Sequence, residues 1–189
     1  MTLDEIYSKL ATHMIKGMMF HEQMANYYDF LGLKGYKRCH EYHFFSESAS
    51  FRCISRYAIN HSNKLIELDR VDDPEAIPSS WFKYNRHDVD ANTRMNAVKS
   101  GVQNWVEWET DTKELYERMF KECMAINEVA TAFKVKEFVL DVDKELKCAE
   151  RKMIKLSAID YDMSVIMPEQ DELHDKYCNK LKCLGEVIV

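Results

Sequence analysis

The stretch YKRCHEYHFFSESASFRCISRYAINHSNKLIEL, Tyr36 to Leu68, decides the fold. Steps of three and four put Tyr36, His40, His43, Glu47, Ser50, Ile54, Tyr57 and His61 along one side. Phe44, Phe51, Ala58 and Leu65 run alongside. This period predicts a helix over residues 36–68, about nine turns without a Gly or Pro. Polar residues stand where a buried helix normally carries apolar ones. His43 and Glu47 are i,i+4 neighbours, so their side chains can reach one point in space. Three readings stay open from the residues alone: a metal site, the relic of one, or a satisfied structural network.

Working outward, the N-terminal flank predicts a helix over 4–30. Its stripe is Leu3, Ile6, Leu10, Met14, Phe20, Met24 and Tyr28, with His13, Gly17 and His21 interleaved four residues apart. Leu31 to Gly35 reads as a tight turn between antiparallel helices, with a left-handed cap near Gly32. On the other flank, residues 69–92 lose the period and carry Pro74 and Pro78. A connection this long fits a crossover along a bundle rather than a hairpin loop. Trp81, Phe82 and Tyr84 would pin it to the surface or enter a subunit contact.

A third helix is expected over 93–125 with Thr93 as N-cap, and Glu109 falls in the middle of its mostly apolar face. A fourth is expected over 131–163, capped by Thr131, with Asp141, Glu145 and Cys148 on the shoulder of its stripe. Pro168 opens a short last helix over 168–183. The apolar tail, Gly185 to Val189, can dock on a neighbour. The whole chain, 1–189, reads as one all-α domain.

Composition agrees. Five Gly and three Pro in 189 residues are too few for a strand-and-turn architecture. The net charge of −6 gives no general field for nucleic acid, and basic residues are dispersed among acidic ones. No run reaches the length of a membrane span, and the start, MTLDEIYSKL, has no apolar core of an export signal. Six cysteines without CxxC spacing read as reduced thiols, which places the chain in the cytoplasm. No phosphate loop, dinucleotide fingerprint or Ser/His/Asp arrangement appears.

Two long helices, a crossover, two long helices and a short one make the plan of the ferritin family, which this chain resembles over about residues 4–163. Lys34-Gly35-Tyr36 and Phe44 to Ser50 resemble the ferritin second helix, Glu107-Trp108-Glu109-Thr110 the third, and Glu137-Phe138 to Glu145 and Glu150 the fourth. The resemblance implies a ferritin-like four-helix bundle with a long crossover between helices 2 and 3 and a short fifth helix. It also implies metal binding, with iron or another divalent metal oxidised or sequestered at the bundle centre, and a homo-oligomer.

The family's ferroxidase motif is incomplete here. Gly17 stands where the first helix has its bridging Glu, and Ser50 replaces the His of Glu-x-x-His. Glu47 and Glu109 match family carboxylates, and the fourth-helix ligand is Asp141 or Glu145. Three buried carboxylates would repel and take up protons. A rearranged site would therefore recruit His43, with His21 or His13. The expected metal set is Glu47, Glu109, Glu145, His43 and His21. His40 and His61, nearer the helix ends, read as structural or exposed. The second reading is a metal-free ferritin-like scaffold acting as an oligomeric or partner-binding helical module.

Overall fold

The computed structural model describes residues 1–183; the expected docking tail, Gly185 to Val189, lies outside the described residues. Helix α1 spans Leu3–Phe30 and begins with a capping box, in which Thr2 accepts from the Glu5 amide and the Glu5 carboxylate accepts from the Thr2 amide. It ends at the expected turn, with Gly32 left-handed at φ 76°. Helix α2 spans Lys34–Ser62, and α3 and α4 span Ala91–Ala125 and Val129–Ala158. A single turn, α5, Met163–Ile166, precedes α6, Gln170–Cys183. Among the described residues every regular element is helical, and no helix is long and apolar enough to cross a membrane.

Five expected boundaries move. Helix α2 stops six residues before Leu68, because Asn63 adopts the left-handed conformation (φ 53°) and its amide closes on the Ile59 carbonyl. Asn tolerates that region, and nothing beyond offers a surface worth continuing for: Leu65 is 85% exposed. The N-cap of α3 is Asp90, not Thr93; its carboxylate accepts from the Thr93 amide at 2.7 Å. Helix α4 opens at Val129 after left-handed Asn127, so Thr131 is a buried interior residue rather than a cap. It also ends at Ala158 instead of residue 163, where Asp160 and Tyr161 turn left-handed and the Tyr161 amide returns to the Leu156 carbonyl at 2.9 Å. The expected last helix is split, its long part opening at Gln170 rather than Pro168.

Helix α1 packs along α2 and α3 along α4, and α1 also meets α3, which closes the four-helix bundle. The crossover, residues 63–90, contains two short 3-10 turns and is tied to α1 where the Asp69 amide donates to Thr12 Oγ1 at 2.9 Å. Trp81 pins it further by packing edge-on against Tyr27 and Phe30. Helix α6 lies along α2. Gln170 Oε1 accepts from the Gly35 and Tyr36 amides at 3.0 and 3.3 Å, capping an α2 start whose own N-cap, Leu33, has no side-chain acceptor.

The interior is two apolar clusters. One holds Tyr28, Tyr36, Val102, Trp105, Leu156 and Ile166 around the α1–α2 turn. The other holds Ile6, Leu10, Met14, Ile54, Met119 and Val135 at the opposite end. Buried polar residues occupy the middle: His21, His40, His43, Glu47 and Glu109.

Candidate metal centre

Each long helix of the bundle sends at least one polar side chain to this middle layer. Helix α1 supplies His21, α2 supplies His40, His43 and Glu47, α3 supplies Glu109, and α4 supplies Glu145. His21 and Glu109 are fully buried, and His43 and Glu47 nearly so. His21, His43 and Glu109 each place one ligand-type atom within 4.8 Å of the other two. His21 Nε2 lies 3.7 Å from Glu109 Oε1, and His43 Nδ1 lies 3.4 Å from Glu145 Oε1. Neither contact has the geometry of a hydrogen bond.

Glu47 occupies space that only a glycine opposite would leave. A Cβ at Gly17 would stand 2.9 Å from Glu47 Cδ and 3.1 Å from its Oε1. The position at which the resemblance leaves a carboxylate missing on α1 is therefore filled from α2. On the fourth helix the two candidates separate by one turn. Glu145 faces His43, whereas the Asp141 carboxylate is largely exposed and pairs with Lys144 at 2.8 Å. Ser50, standing in for the second-helix His, lines a cleft of about 420 Å³ that also borders His43, Glu47, Glu145 and Tyr177. This cleft connects the layer with the outside between α2, α4 and α6.

The electrostatics of the layer are unbalanced. Burial, then the neighbouring Glu145 and Glu109, push the Glu47 carboxyl well above its ordinary range. Burial and Glu145 push Glu109 up to about 8, against the opposing pull of His43 and of the hydrogen bond from Trp105. Burial lowers His21 and His40, aided by the other imidazoles, so both rings are neutral. His43 goes the other way: burial opposes its charge, but Cys39 and the Glu145 carboxylate outweigh that and raise it well above its usual value. The layer without metal thus keeps protons on the Glu47 and Glu109 carboxyls and on the His43 imidazole.

It also leaves donors and acceptors unmatched. His21 Nε2, His43 Nδ1, Glu47 Oε2 and Glu109 Oε2 are all buried without a hydrogen-bond partner among the described residues. Orphans of this kind each cost on the order of 1–3 kcal/mol, more for charged groups. Four of them lie in one layer, and the three residues His21, His43 and Glu109 bring ligand atoms close enough together to surround a cation. Imidazole nitrogens with carboxylate oxygens suit iron, zinc or manganese.

Two residues of the layer escaped sequence reasoning. His40, expected to be structural or exposed, is fully buried, and its Nδ1 sits 3.0 Å from His21 Nδ1. One ring must donate to the other there, which fixes the orientation of His21. Trp105 Nε1 donates to Glu109 Oε1 at 2.8 Å and leaves Oε2 free. The i,i+3 pair His40/His43 and the i,i+4 pair Trp105/Glu109 are the signals that could have found them. His61 is exposed, beside Glu128 at 3.4 Å. His13, the alternative to His21, does not reach the layer. Its Nε2 bonds Thr112 Oγ1 at 2.8 Å, and its ring stacks on Trp108.

No protein-family model and no curated protein matches the chain. Solved structures do. A humanised archaeal ferritin, 17% identical, superposes with a TM-score of 0.75 over 90% of this chain and 94% of its own. An open-pore ferritin from the hyperthermophilic archaeon Archaeoglobus fulgidus, 18% identical, gives 0.73 over 90% and 93%. A PmFTN variant soaked in iron, 13% identical, gives 0.72 over 89% and 96%. At such identities the likeness establishes the fold, and the chain has the ferritin-like four-helix fold.

Proposed function

We propose that this ferritin-like bundle binds a divalent metal ion, iron in the first instance, in the polar layer between its two apolar clusters. The observation that carries the reading is the convergence of ligand atoms of His21, His43 and Glu109 within 4.8 Å of one another, in a layer where buried atoms of these residues and of Glu47 lack partners. His21, His43 and Glu109 would hold the ion, and Glu47 and Glu145 would extend the set toward the cleft. The bound ion would supply the positive charge that lets Glu47 and Glu109 give up their protons. His40 would hold the His21 ring in place, and Trp105 would hold the Glu109 carboxylate. Iron handling, by oxidation or sequestration, is the activity that ferritin-like neighbours and the donor set together support. A homo-oligomer is the assembly proposed with it.

The test is elemental analysis of protein purified without chelator, followed by Fe(II) titration in air. About one or two ions per chain, lost in His43→Gln and Glu109→Gln, are expected. Wild-type protein that neither carries metal nor binds or oxidises iron would overturn the reading. The partner-binding scaffold would then be favoured by the solvent-facing Phe133, Leu140 and Ile154 of α4, which are 63%, 53% and 65% exposed.

A further inference from the structure

A second site lies on the outer side of α1 and α3, apart from the polar layer. Where the crossover is pinned to Thr12, a depression of about 220 Å³ is lined by Lys9 and Lys16 of α1, Arg118 of α3 and Arg70 of the crossover. Asp69 is the single carboxylate among its lining residues. Four cations around one small concavity are unexpected in a chain of net charge −6. Like charges gathered this way repel unless an anion joins them. Lys9, Lys16 and Arg118 form no ion pair among the described residues, and Arg70 alone is engaged, with Asp72 at 3.0 Å. Some surface cations elsewhere are paired, as Lys113 and Lys147 are with Asp143.

Three separate segments build this depression. Lys9 and Lys16 are seven residues apart, two turns on one face of α1. Helix α3 brings Arg118 alongside, and the Asp69–Thr12 hydrogen bond holds the crossover, with the exposed Arg70, at the rim. His13 lies among the lining residues, with its ring seated on Trp108 at 4.9 Å between centroids and 3° from parallel. Guanidinium forks and ammonium point charges around a space of this size match the oxygens of a phosphoryl group better than a single carboxylate.

We propose that Lys9, Lys16, Arg70 and Arg118 form a binding site for a phosphoryl group, supplied by free phosphate or by a phosphorylated small molecule. The site is independent of the metal reading, since none of its residues belongs to the polar layer. Binding releases screening ions and is weakened by salt.

The experiment is calorimetric titration of the full-length, metal-free chain with inorganic phosphate, and separately with a nucleoside diphosphate, at constant ionic strength set with chloride. Saturable binding of either is expected. Lys16→Gln and Arg118→Gln should each weaken it about tenfold, while Lys99→Gln, a cation elsewhere on α3, should leave it unchanged. Circular dichroism on each variant checks folding. Tighter binding of phosphate identifies the free anion as the occupant, and tighter binding of the diphosphate identifies a phosphorylated molecule. No saturable binding of either, or binding that Lys16→Gln and Arg118→Gln leave intact, would overturn the proposal.

Discussion

The polar layer and the apolar cluster next to it use the same helices for opposite ends. Around Leu10, Met14, Ile54 and Met119, each side chain is fully buried against others of its kind. About two to three turns away on the same helices, His21, His43, Glu47 and Glu109 are as deeply buried, with buried ligand atoms left unpartnered. The first region stabilises the fold by removing apolar surface from water. The second costs stability through buried polar atoms that have no partner. On the proposed reading, the bundle keeps so costly a layer between two apolar clusters because a metal ion completes it.

The largest effect should come from the apolar side. Leu10→Ala is expected to cost about 2–5 kcal/mol by transfer and cavity terms, read by chemical denaturation. Metal stoichiometry should be unchanged in the variant that still folds. A loss of metal at intact fold would break the separation between the regions.

Next is Glu109→Gln, with the opposite sign. In the metal-free protein, the folded state holds the Glu109 proton from the ordinary 4.5 up to about 8. Its contribution is therefore complete below pH 4.5 and fades as pH rises through 8. Gln keeps the acceptor for Trp105 and never ionises. The variant should match wild type at pH 5 and exceed it by about 1–4 kcal/mol at pH 9, while losing metal. His21 and His40 oppose this trend at the acid end. Their lowered values give stability that is present above about 6.5 and lost as pH falls. A stability curve of metal-free wild type that kept rising from pH 7 to 9 would contradict the assignment.

Gly17→Ala is a finer probe. Ala gains about 1 kcal/mol in helix propensity, but its Cβ meets Glu47, whose flexible end must move. Net stability should stay within about 1 kcal/mol of wild type, while metal affinity falls in a matched titration. Asp141→Asn should change neither quantity, with a stability effect under about 0.5 kcal/mol, because that carboxylate sits in solvent with Lys144. An effect on metal binding there would return the fourth-helix ligand to the other register.

The sequence carries this architecture well because helical period and long connections are local signals. The residues of the expected metal set, His21, His43, Glu47, Glu109 and Glu145, do lie together around one layer, since each repeats at helical spacing on its own stripe. What it carried poorly depends on angle and on single backbone torsions. His13 and His21 are eight residues apart, about 80° around the helix, so His13 turns to Trp108 and Thr112 while His21 enters the layer. The end of α2 rests on one left-handed Asn63 inside a stretch whose period continues. His40 was hidden because proximity to a helix start says nothing about burial when Tyr28 of α1 and Trp105 of α3 pack against its ring. The cationic depression joins residues 9, 16, 70 and 118, and no local reading brings those together.

The most direct test of the metal centre is anaerobic Fe(II) calorimetry on metal-free protein at pH 7, repeated in buffers of different ionisation enthalpy. Saturable binding should come with release of protons from Glu47, Glu109 or His43, all of which hold them in the empty layer. Both the binding and the buffer dependence should vanish in Glu109→Gln. An absence of saturable binding in wild type, or binding with no proton released and undiminished in Glu109→Gln, would contradict a metal centre in the bundle.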